Sequence, residues 1–105
     1  MEFNTLMQEL SDEIIYAKDN FIPIIRDESA LFLYNYVTDN NIKNVLEIGT
    51  AIGFSGSIIL SAGAESLTTI EINERNYQIA IETFEKLNYK DKVTMYLADA
   101  KYIVP

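Results

Sequence analysis

The fold class of this chain is indicated most clearly by the stretch Val45-Leu46-Glu47-Ile48-Gly49-Thr50-Ala51-Ile52-Gly53-Phe54-Ser55-Gly56. A short apolar run ends in an acidic residue, and glycines then open what we predict to be a helix. A strand, a glycine turn and a helix start in that order can hold a nucleotide-like ligand. Gly49 and Gly53 lack a Cβ atom, so the backbone can turn sharply and approach a ligand. Glu47, at the end of the predicted strand, can accept hydrogen bonds from a ligand hydroxyl or amine.

The glycine spacing separates two classes of cofactor site. A dinucleotide site reads G-x-G-x-x-G, with its first two glycines two residues apart. Here the glycines are Gly49, Gly53 and Gly56. An NAD-dependent oxidoreductase is therefore disfavoured, because the second glycine of that pattern is absent. On this stretch alone, a glycine-rich turn without any ligand remains an alternative.

The composition indicates one small globular domain. The 105 residues are 49% hydrophobic, enough for a real core, and disorder is not expected. Cysteine is absent, which excludes disulfides, thiolate nucleophiles and cysteine metal sites. Histidine is absent as well, so any general base must be a carboxylate, a lysine, a tyrosine or a metal-bound species.

The charge balance is acidic and uneven along the chain. The net charge is −8, from 16 acidic and 8 basic residues. This argues against a broad phosphate-binding surface, although a local basic groove remains compatible with it. No apolar run reaches transmembrane length, and no basic region followed by an apolar block opens the chain. We therefore expect a cytoplasmic protein with no membrane partner.

Residues 1–42 are predicted to form an N-terminal helical segment. Residues 2–19 have the apolar spacing of a single amphipathic helix. Pro23 then interrupts the helical pattern, and Asp27 is predicted to cap a second helix that ends near residues 39–41. The predicted buried positions of the two helices are Phe3, Leu6, Met7, Leu10, Ile14 and Ala17, followed by Ala30, Leu31, Leu33, Tyr34 and Val37.

Residues 43–105 are predicted to form part of a Rossmann-like α/β domain. The predicted strands span residues 43–48, which we expect to be buried on both faces, 67–71 and 92–97. The intervening helices are predicted over about 53–61, stopped by Gly63, and after Asn73 as N-cap, with another helix beginning near Lys101.

Strands alternating with helices predict a parallel sheet with right-handed crossovers. The fold class is therefore the N-terminal half of a doubly wound parallel sheet, with three strands preceded by two helices. A complete doubly wound sheet has about six strands. Since the pattern stops midway at residues 102–105, we expect the chain to be the N-terminal part of a longer domain.

Three acidic residues follow the ends of the three predicted strands. Ligands of open α/β sheets bind at this edge. Glu71 follows Gly49 by 22 residues, close to the offset at which an acid meets ribose hydroxyls in nucleotide-binding units. Asp99 can accept from an exocyclic amine, and Ala100 leaves room beside a flat base. Together with Glu47, these residues favour a ligand site over a turn without one.

The sequence also resembles a known family. The spacing acidic-x-Gly-x-x-x-Gly resembles the first motif of class I S-adenosylmethionine (SAM)-dependent methyltransferases. The runs VLEIGTAIGFS, YAKDNFIPIIRDESALFL and TIEINERNYQIAIETFEKLNYKDKVTMYLADA resemble the O-methyltransferases that include the caffeoyl-CoA and catechol enzymes. Within their bacterial branch, the chain is most similar to the YrrM-like tRNA 5-hydroxyuridine methyltransferases.

The resemblance implies a set of cofactor contacts. They are additional to the close backbone approach that Gly53 allows in the glycine turn. Glu47 and Gly49 would line the methionine end of SAM, with Ser55 contacting it from the helix start. Glu71 would hold the ribose, and Asp99 and Ala100 would flank the adenine. Family members also use a divalent cation, whose ligands would lie beyond residue 105, so no metal ligand or catalytic residue is assigned here.

The implied reaction is methyl transfer from SAM to a hydroxyl oxygen. The first candidate acceptor is 5-hydroxyuridine of tRNA, and the alternative is a small catechol-like phenol. An NAD-dependent oxidoreductase and a non-catalytic cofactor-binding fragment are the alternatives from other classes. This chain alone is expected to be inactive. If the chain ends at residue 105, the first strand has a free apolar edge. We then expect a homo-oligomer that assembles through this edge or through the leading helix.

Overall fold

The structure is a computed structural model that describes residues 1–103. Val104 and Pro105 lie outside the described residues; they are the last two residues of the stretch 102–105, at which the predicted α/β pattern stops. The helices are α1 (Phe3–Glu9), α2 (Ser11–Asp19), α3 (Asp27–Asp39), α4 (Phe54–Ser61) and α5 (Glu74–Lys86). The strands are β1 (Asn44–Ile48), β2 (Ser66–Glu71) and β3 (Val93–Leu97). Single 3₁₀ turns span Lys90–Lys92 and Ala100–Tyr102; the second stands where a helix was predicted from Lys101.

The three strands form one parallel sheet in the order β1-β2-β3. In its register, Glu47 lies opposite Thr69, and Ile48 lies opposite Ile70. The crossover helices α4 and α5 contact each other and the sheet, so they cover the same face. The predicted α/β class and parallel sheet are confirmed.

Helix α4 lies at the centre of the core. All of its residues except Ser55 are buried. A Cβ atom at Gly56 would lie 2.7 Å from Leu67 Cδ2 and 3.0 Å from Phe84 Cζ, so only glycine lets α4 approach the sheet this closely. This close packing fixes the start of α4, and with it the glycine turn.

The N-terminal segment contains three helices instead of the predicted two. The helix predicted over residues 2–19 is interrupted at Leu10, which is completely buried. The interruption exposes the carbonyl of Glu9, and Lys86 Nζ donates to it at 2.6 Å and to Glu13 Oε1 at 2.8 Å. Local periodicity could not reveal this break, because the lysine that stabilises it lies on α5.

Four helices end in the same hydrogen-bonded motif. After each, a residue with positive φ donates to the carbonyl three positions back, and the next residue donates to the carbonyl five positions back, as in a Schellman C-cap. The residues with positive φ are Phe21, Asn41, Gly63 and Asn88. The predicted stop at Gly63 is thereby confirmed, while Phe21 is an unusual choice for this conformation.

Three further local predictions are wrong. Asp27 is the first residue of α3, not its cap; Arg26 is the N-cap and makes no side-chain capping bond. Leu31 is 44% exposed instead of buried. Strand β1 is not buried on both faces, because α4 and α5 lie on one side and leave Leu46 and Ile48 more than half exposed.

In residues 1–103, every helix is too short or too polar to cross a lipid bilayer.

Candidate functional site at the carboxyl edge of the sheet

Four of the predicted site residues line one cavity at the carboxyl edge of the sheet. Gly49, Glu71, Asp99 and Ala100 surround a space of about 200 Å³. The remaining lining residues are Ile48, Ile70, Ile72 and Ala98, which give the cavity an apolar wall. Three successive strand ends therefore contribute to the same site, as the parallel topology requires.

The glycine turn has an alternating backbone conformation. Gly49 and Gly53 both have φ of +88°, and Ala51 between them has φ of +49°. The carbonyl of Ile70 accepts from the Gly49 N–H at 2.8 Å and from the Thr50 N–H at 3.2 Å, which ties the turn to the end of β2.

The two glycines of this turn have different surroundings. No atom lies within 4 Å of a Cβ built on Gly49, so this side of the turn is open to a ligand. A Cβ on Gly53 would instead lie 3.3 Å from Phe84 Cζ. Gly53 therefore permits close packing of the turn against α5, in addition to its positive φ.

Glu71 is a buried carboxylate that joins two loops. Its Oε1 accepts from the Ala51 N–H at 2.7 Å, and its Oε2 accepts from the Asn73 N–H at 2.9 Å. A left-handed conformation costs a residue such as Ala51 about 1–2 kcal/mol. A hydrogen bond to a charged acceptor contributes roughly 1.5–3 kcal/mol, which offsets that cost. Each Glu71 oxygen keeps a free lone pair for a ligand hydroxyl.

Glu47 forms a second polar cluster beside the turn. Its Oε2 accepts from the Ser55 hydroxyl and its Oε1 from the Thr69 hydroxyl, each at 2.8 Å. Burial raises the pKa of Glu47, while the two hydroxyl bonds lower it and the charge of Glu71 raises it further. Glu47 and Ser55 are thus brought together, but they are not among the residues that line the cavity.

Asp99 and Ala100 form the third side of the cavity. Asp99 Oδ1 accepts from the Lys101 N–H at 3.1 Å, and Oδ2 lies 3.7 Å from Lys101 Nζ. The carboxylate is partly exposed and its bonds are local, so it keeps acceptor capacity toward the cavity.

A larger depression lies away from this site. About 720 Å³ of open space lies between α2 and the start of α5, lined by Tyr16, Asn73, Glu74, Arg75, Gln78 and Ile79. None of the predicted site residues borders it. We place the candidate site at the smaller cavity, because backbone turns and carboxylates converge there.

Sequence reasoning missed several residues of the site. Ile72, directly after Glu71, lines the cavity and is 69% exposed. An apolar residue following a strand-terminal acid was a signal that could have identified it. Thr69, Ala51 and Asn73 act through hydrogen bonds across the fold, and no local pattern marks such contacts.

The described residues fit a nucleoside-like cofactor better than a metal ion. The open side of Gly49 and the free lone pairs of Glu71 can accommodate a ribose beside the apolar wall. Within residues 1–103, no three acidic side chains come together in a way that could hold a metal. The divalent cation implied by the family resemblance stays a prediction.

Comparison with known proteins assigns the chain to a family. A model of the O-methyltransferase family matches residues 1–104. The chain belongs to this family. The predicted resemblance to O-methyltransferases is thereby confirmed, whereas the tRNA 5-hydroxyuridine branch stays a prediction.

Individual members of the O-methyltransferase family show the same relationship. The tapetum-specific methyltransferase 1 of Arabidopsis thaliana is 32% identical over 101 residues, which are 90% of this chain and 42% of that protein. A Staphylococcus aureus protein provisionally assigned as a caffeoyl-CoA O-methyltransferase is 28% identical, with a TM-score of 0.77 over 95% of this chain and 46% of its own.

A Bacillus cereus O-methyltransferase solved in complex with SAH shares the fold, with 24% identity and a TM-score of 0.75. The alignment covers 98% of this chain and 47% of that one. The chain thus spans a little less than half the length of these O-methyltransferase relatives.

Proposed function

We propose that this chain supplies the SAM-binding part of an O-methyltransferase that methylates a hydroxyl oxygen. The observation that carries the proposal is the cavity in which Gly49, Glu71, Asp99 and Ala100 meet. Membership of the O-methyltransferase family supports the same function, and so does the SAH complex of the Bacillus cereus relative. The family match favours this function over the NAD-dependent oxidoreductase considered from the sequence.

Four residues of the cavity have proposed roles toward the nucleoside end of the cofactor. Glu71 accepts hydrogen bonds from the ribose hydroxyls through its free lone pairs. Asp99 accepts from the exocyclic amine of adenine, and Ala100 leaves space for the ring. Ile72 adds an exposed apolar surface on which the ring can lie.

The methionine end of the cofactor is assigned to the other side of the turn. Gly49 is open toward the ligand, and the N-terminus of α4 offers free N–H groups that favour a carboxylate. Glu47 and Ser55 lie beside this helix start, joined by their hydrogen bond. Gly53 shapes the turn through its positive φ.

SAM supplies a methyl group on a sulfonium, ready for in-line transfer to an oxygen nucleophile. The contribution of this chain is to bind and orient that group, which provides proximity and alignment. Catalytic residues are not assigned among residues 1–103. The chain by itself is proposed to bind the cofactor without turnover, and a divalent cation in the whole protein is proposed to have its ligands elsewhere.

Two hydroxyl acceptors are proposed for the whole protein. The first is 5-hydroxyuridine of tRNA, and a small catechol-like phenol is equally consistent with the family. The net charge of −8 disfavours tRNA unless a basic surface is supplied outside this chain. Incubation of the cellular form of the protein with SAM radiolabelled in its methyl group, and with either tRNA that carries unmethylated 5-hydroxyuridine or catechol, would separate the two, since label should enter only the acceptor that the protein methylates.

Isothermal titration of the 105-residue chain with SAH, in parallel with NADH, tests the cofactor assignment. We expect heat of binding with SAH and none with NADH. Binding of NADH alone would contradict the proposal.

A glycine pair provides the matched control for this titration. Gly49→Ala places a methyl group in the proposed ligand space and should weaken SAH binding by about tenfold or more, equivalent to roughly 1.4 kcal/mol. Gly63 also has a positive φ and nothing within 4 Å of its Cβ position, but lies after the far end of α4. Gly63→Ala therefore imposes similar backbone strain and should leave SAH affinity unchanged. Equal losses in the two variants would argue against a ligand at Gly49.

For the 105-residue chain on its own, self-association is proposed through the outer edge of β1 or through the leading helix. Among the described strands, β1 is an edge strand, and its sequence contains neither lysine nor proline. Such an edge can pair with a second copy of the chain. A purely monomeric species in light scattering at high concentration would refute this assembly.

A further inference from the structure

We propose that Glu71 is also a positioning residue, whose carboxylate sets the conformation of the Gly49–Ala51 turn before any cofactor is bound. This role is distinct from the ribose contact assigned above. It rests on the proposed function only for its consequence, cofactor affinity; the conformational role stands on the hydrogen bonds of the chain itself.

The first step of the argument is the conformation of Ala51. Its φ of +49° is left-handed, between two glycines that have φ of +88°. Glycine adopts such values readily, whereas alanine does so only when surrounding contacts impose them. The contact at Ala51 is the 2.7 Å hydrogen bond from its N–H to Glu71 Oε1.

The second step is that Glu71 is itself firmly held. Its side chain is buried, and its second oxygen accepts from the N–H of Asn73, the last residue of the β2–α5 loop. Asn73 is the N-cap of α5, where its side chain accepts from the Asn76 N–H at 2.9 Å. The carboxylate therefore connects the turn after β1 to the capped start of α5.

The third step concerns the cavity. Both braced loops contribute a lining residue, Gly49 from the first and Ile72 from the second, and Glu71 at the end of β2 lines the cavity as well. Because both hydrogen bonds of the Glu71 carboxylate are made within the chain itself, they preorganise the turn. Preorganisation reduces the ordering that binding would otherwise require, and so favours affinity.

Amide hydrogen exchange of the unliganded chain, followed by NMR, tests the conformational role. The variants are Glu71→Gln, which keeps one acceptor oxygen, and Glu71→Met, which keeps the length of the side chain and no oxygen acceptor. The Ala51 and Asn73 amides should be protected in the wild type, with at least one losing protection in Glu71→Gln and both losing about tenfold or more in Glu71→Met. Asp99→Asn is the control, because Asp99 lines the same cavity but bonds only to its own turn.

A second substitution distinguishes positioning of the turn from general damage. Ala51→Gly removes the penalty of the left-handed conformation. In the Glu71→Met background it should therefore return the amide chemical shifts of Gly49 and Thr50 toward their wild-type values. A generally damaged fold would show no such recovery.

The outcomes separate the two proposals. Loss of protection in the Glu71 variants, with protection retained in Asp99→Asn, supports the positioning role, whether or not SAH binds. Unchanged Ala51 protection in Glu71→Met, or no recovery with Ala51→Gly, overturns it. Failure of the wild-type chain to bind SAH would count against the cofactor assignment and leave the exchange result intact.

Discussion

Gly56 should be intolerant of even one methyl group, and Gly56→Ala tests how closely α4 must approach the sheet. The added Cβ would lie 2.7 Å from Leu67 Cδ2, and 3.0 and 3.2 Å from two ring atoms of Phe84. Leu67 and Phe84 are each only 1% exposed, so neither side chain can move into solvent.

The magnitude follows from two opposing effects. Overpacking a core typically costs 1–3 kcal/mol, and the rigid neighbours place this substitution near 3 kcal/mol. Alanine is a better helix former than glycine by about 1 kcal/mol, which offsets part of the cost. We expect a net loss of about 2 kcal/mol in the free energy of unfolding, or a fall in Tm of roughly 10 °C.

Urea unfolding followed by circular dichroism measures this loss. The double variant Gly56→Ala/Leu67→Ala is the informative companion, because shortening Leu67 removes the closest contact. Its destabilisation should be smaller than the sum of the two single changes, giving a favourable coupling. A neutral or stabilising Gly56→Ala, or strict additivity in the double variant, would refute the close-packing argument.

Two further predictions concern charge and backbone strain. Burial raises the pKa of Glu47 in the folded state; the folded chain therefore binds the proton more tightly, and stability should fall as pH rises from the ordinary carboxyl pKa to the raised one. Glu47→Gln should reduce the dependence of the free energy of unfolding on pH, measured by urea unfolding at a series of pH values. An unchanged dependence would contradict the raised pKa of Glu47. Phe21 has φ of +55° and is 92% exposed, so Phe21→Asn should stabilise the chain by about 0.5–1 kcal/mol. The reverse change, Asn41→Phe, should destabilise the chain by a similar amount. The same urea assay measures both variants, and a stability change of the opposite sign in either one would contradict the prediction.

The sheet and its carboxyl edge could be predicted because local signals determine them. Apolar runs, Gly63 and the cap at Asn73 each mark an element boundary through short-range chemistry, and parallel topology then brings strand ends together. That is why Gly49, Glu71, Asp99 and Ala100 were predicted together and line one cavity.

The remaining features depend on contacts between distant parts of the chain. The break at Leu10 is stabilised by Lys86, 77 residues from Glu9 in sequence. Glu71 contacts the Ala51 amide, and Glu47 contacts Thr69, only after the strands pair. The exposure of β1 likewise reflects which face α4 and α5 cover, a property of the whole arrangement that a strand's own apolar residues do not show.

The one-sided covering of the sheet has a consequence for the chain in solution. The uncovered face presents an apolar surface that can associate with other apolar surfaces. It includes the side chains of Leu46, Ile48 and Tyr96, which are 55%, 62% and 43% exposed. The net charge of −8 opposes association through this face, because like-charged copies of the chain repel one another. The repulsion extends over about 10 Å at 0.1 M salt and only about 3 Å at 1 M. Dispersion of the chain is thus a balance between apolar attraction and electrostatic repulsion, and added salt shifts that balance toward association.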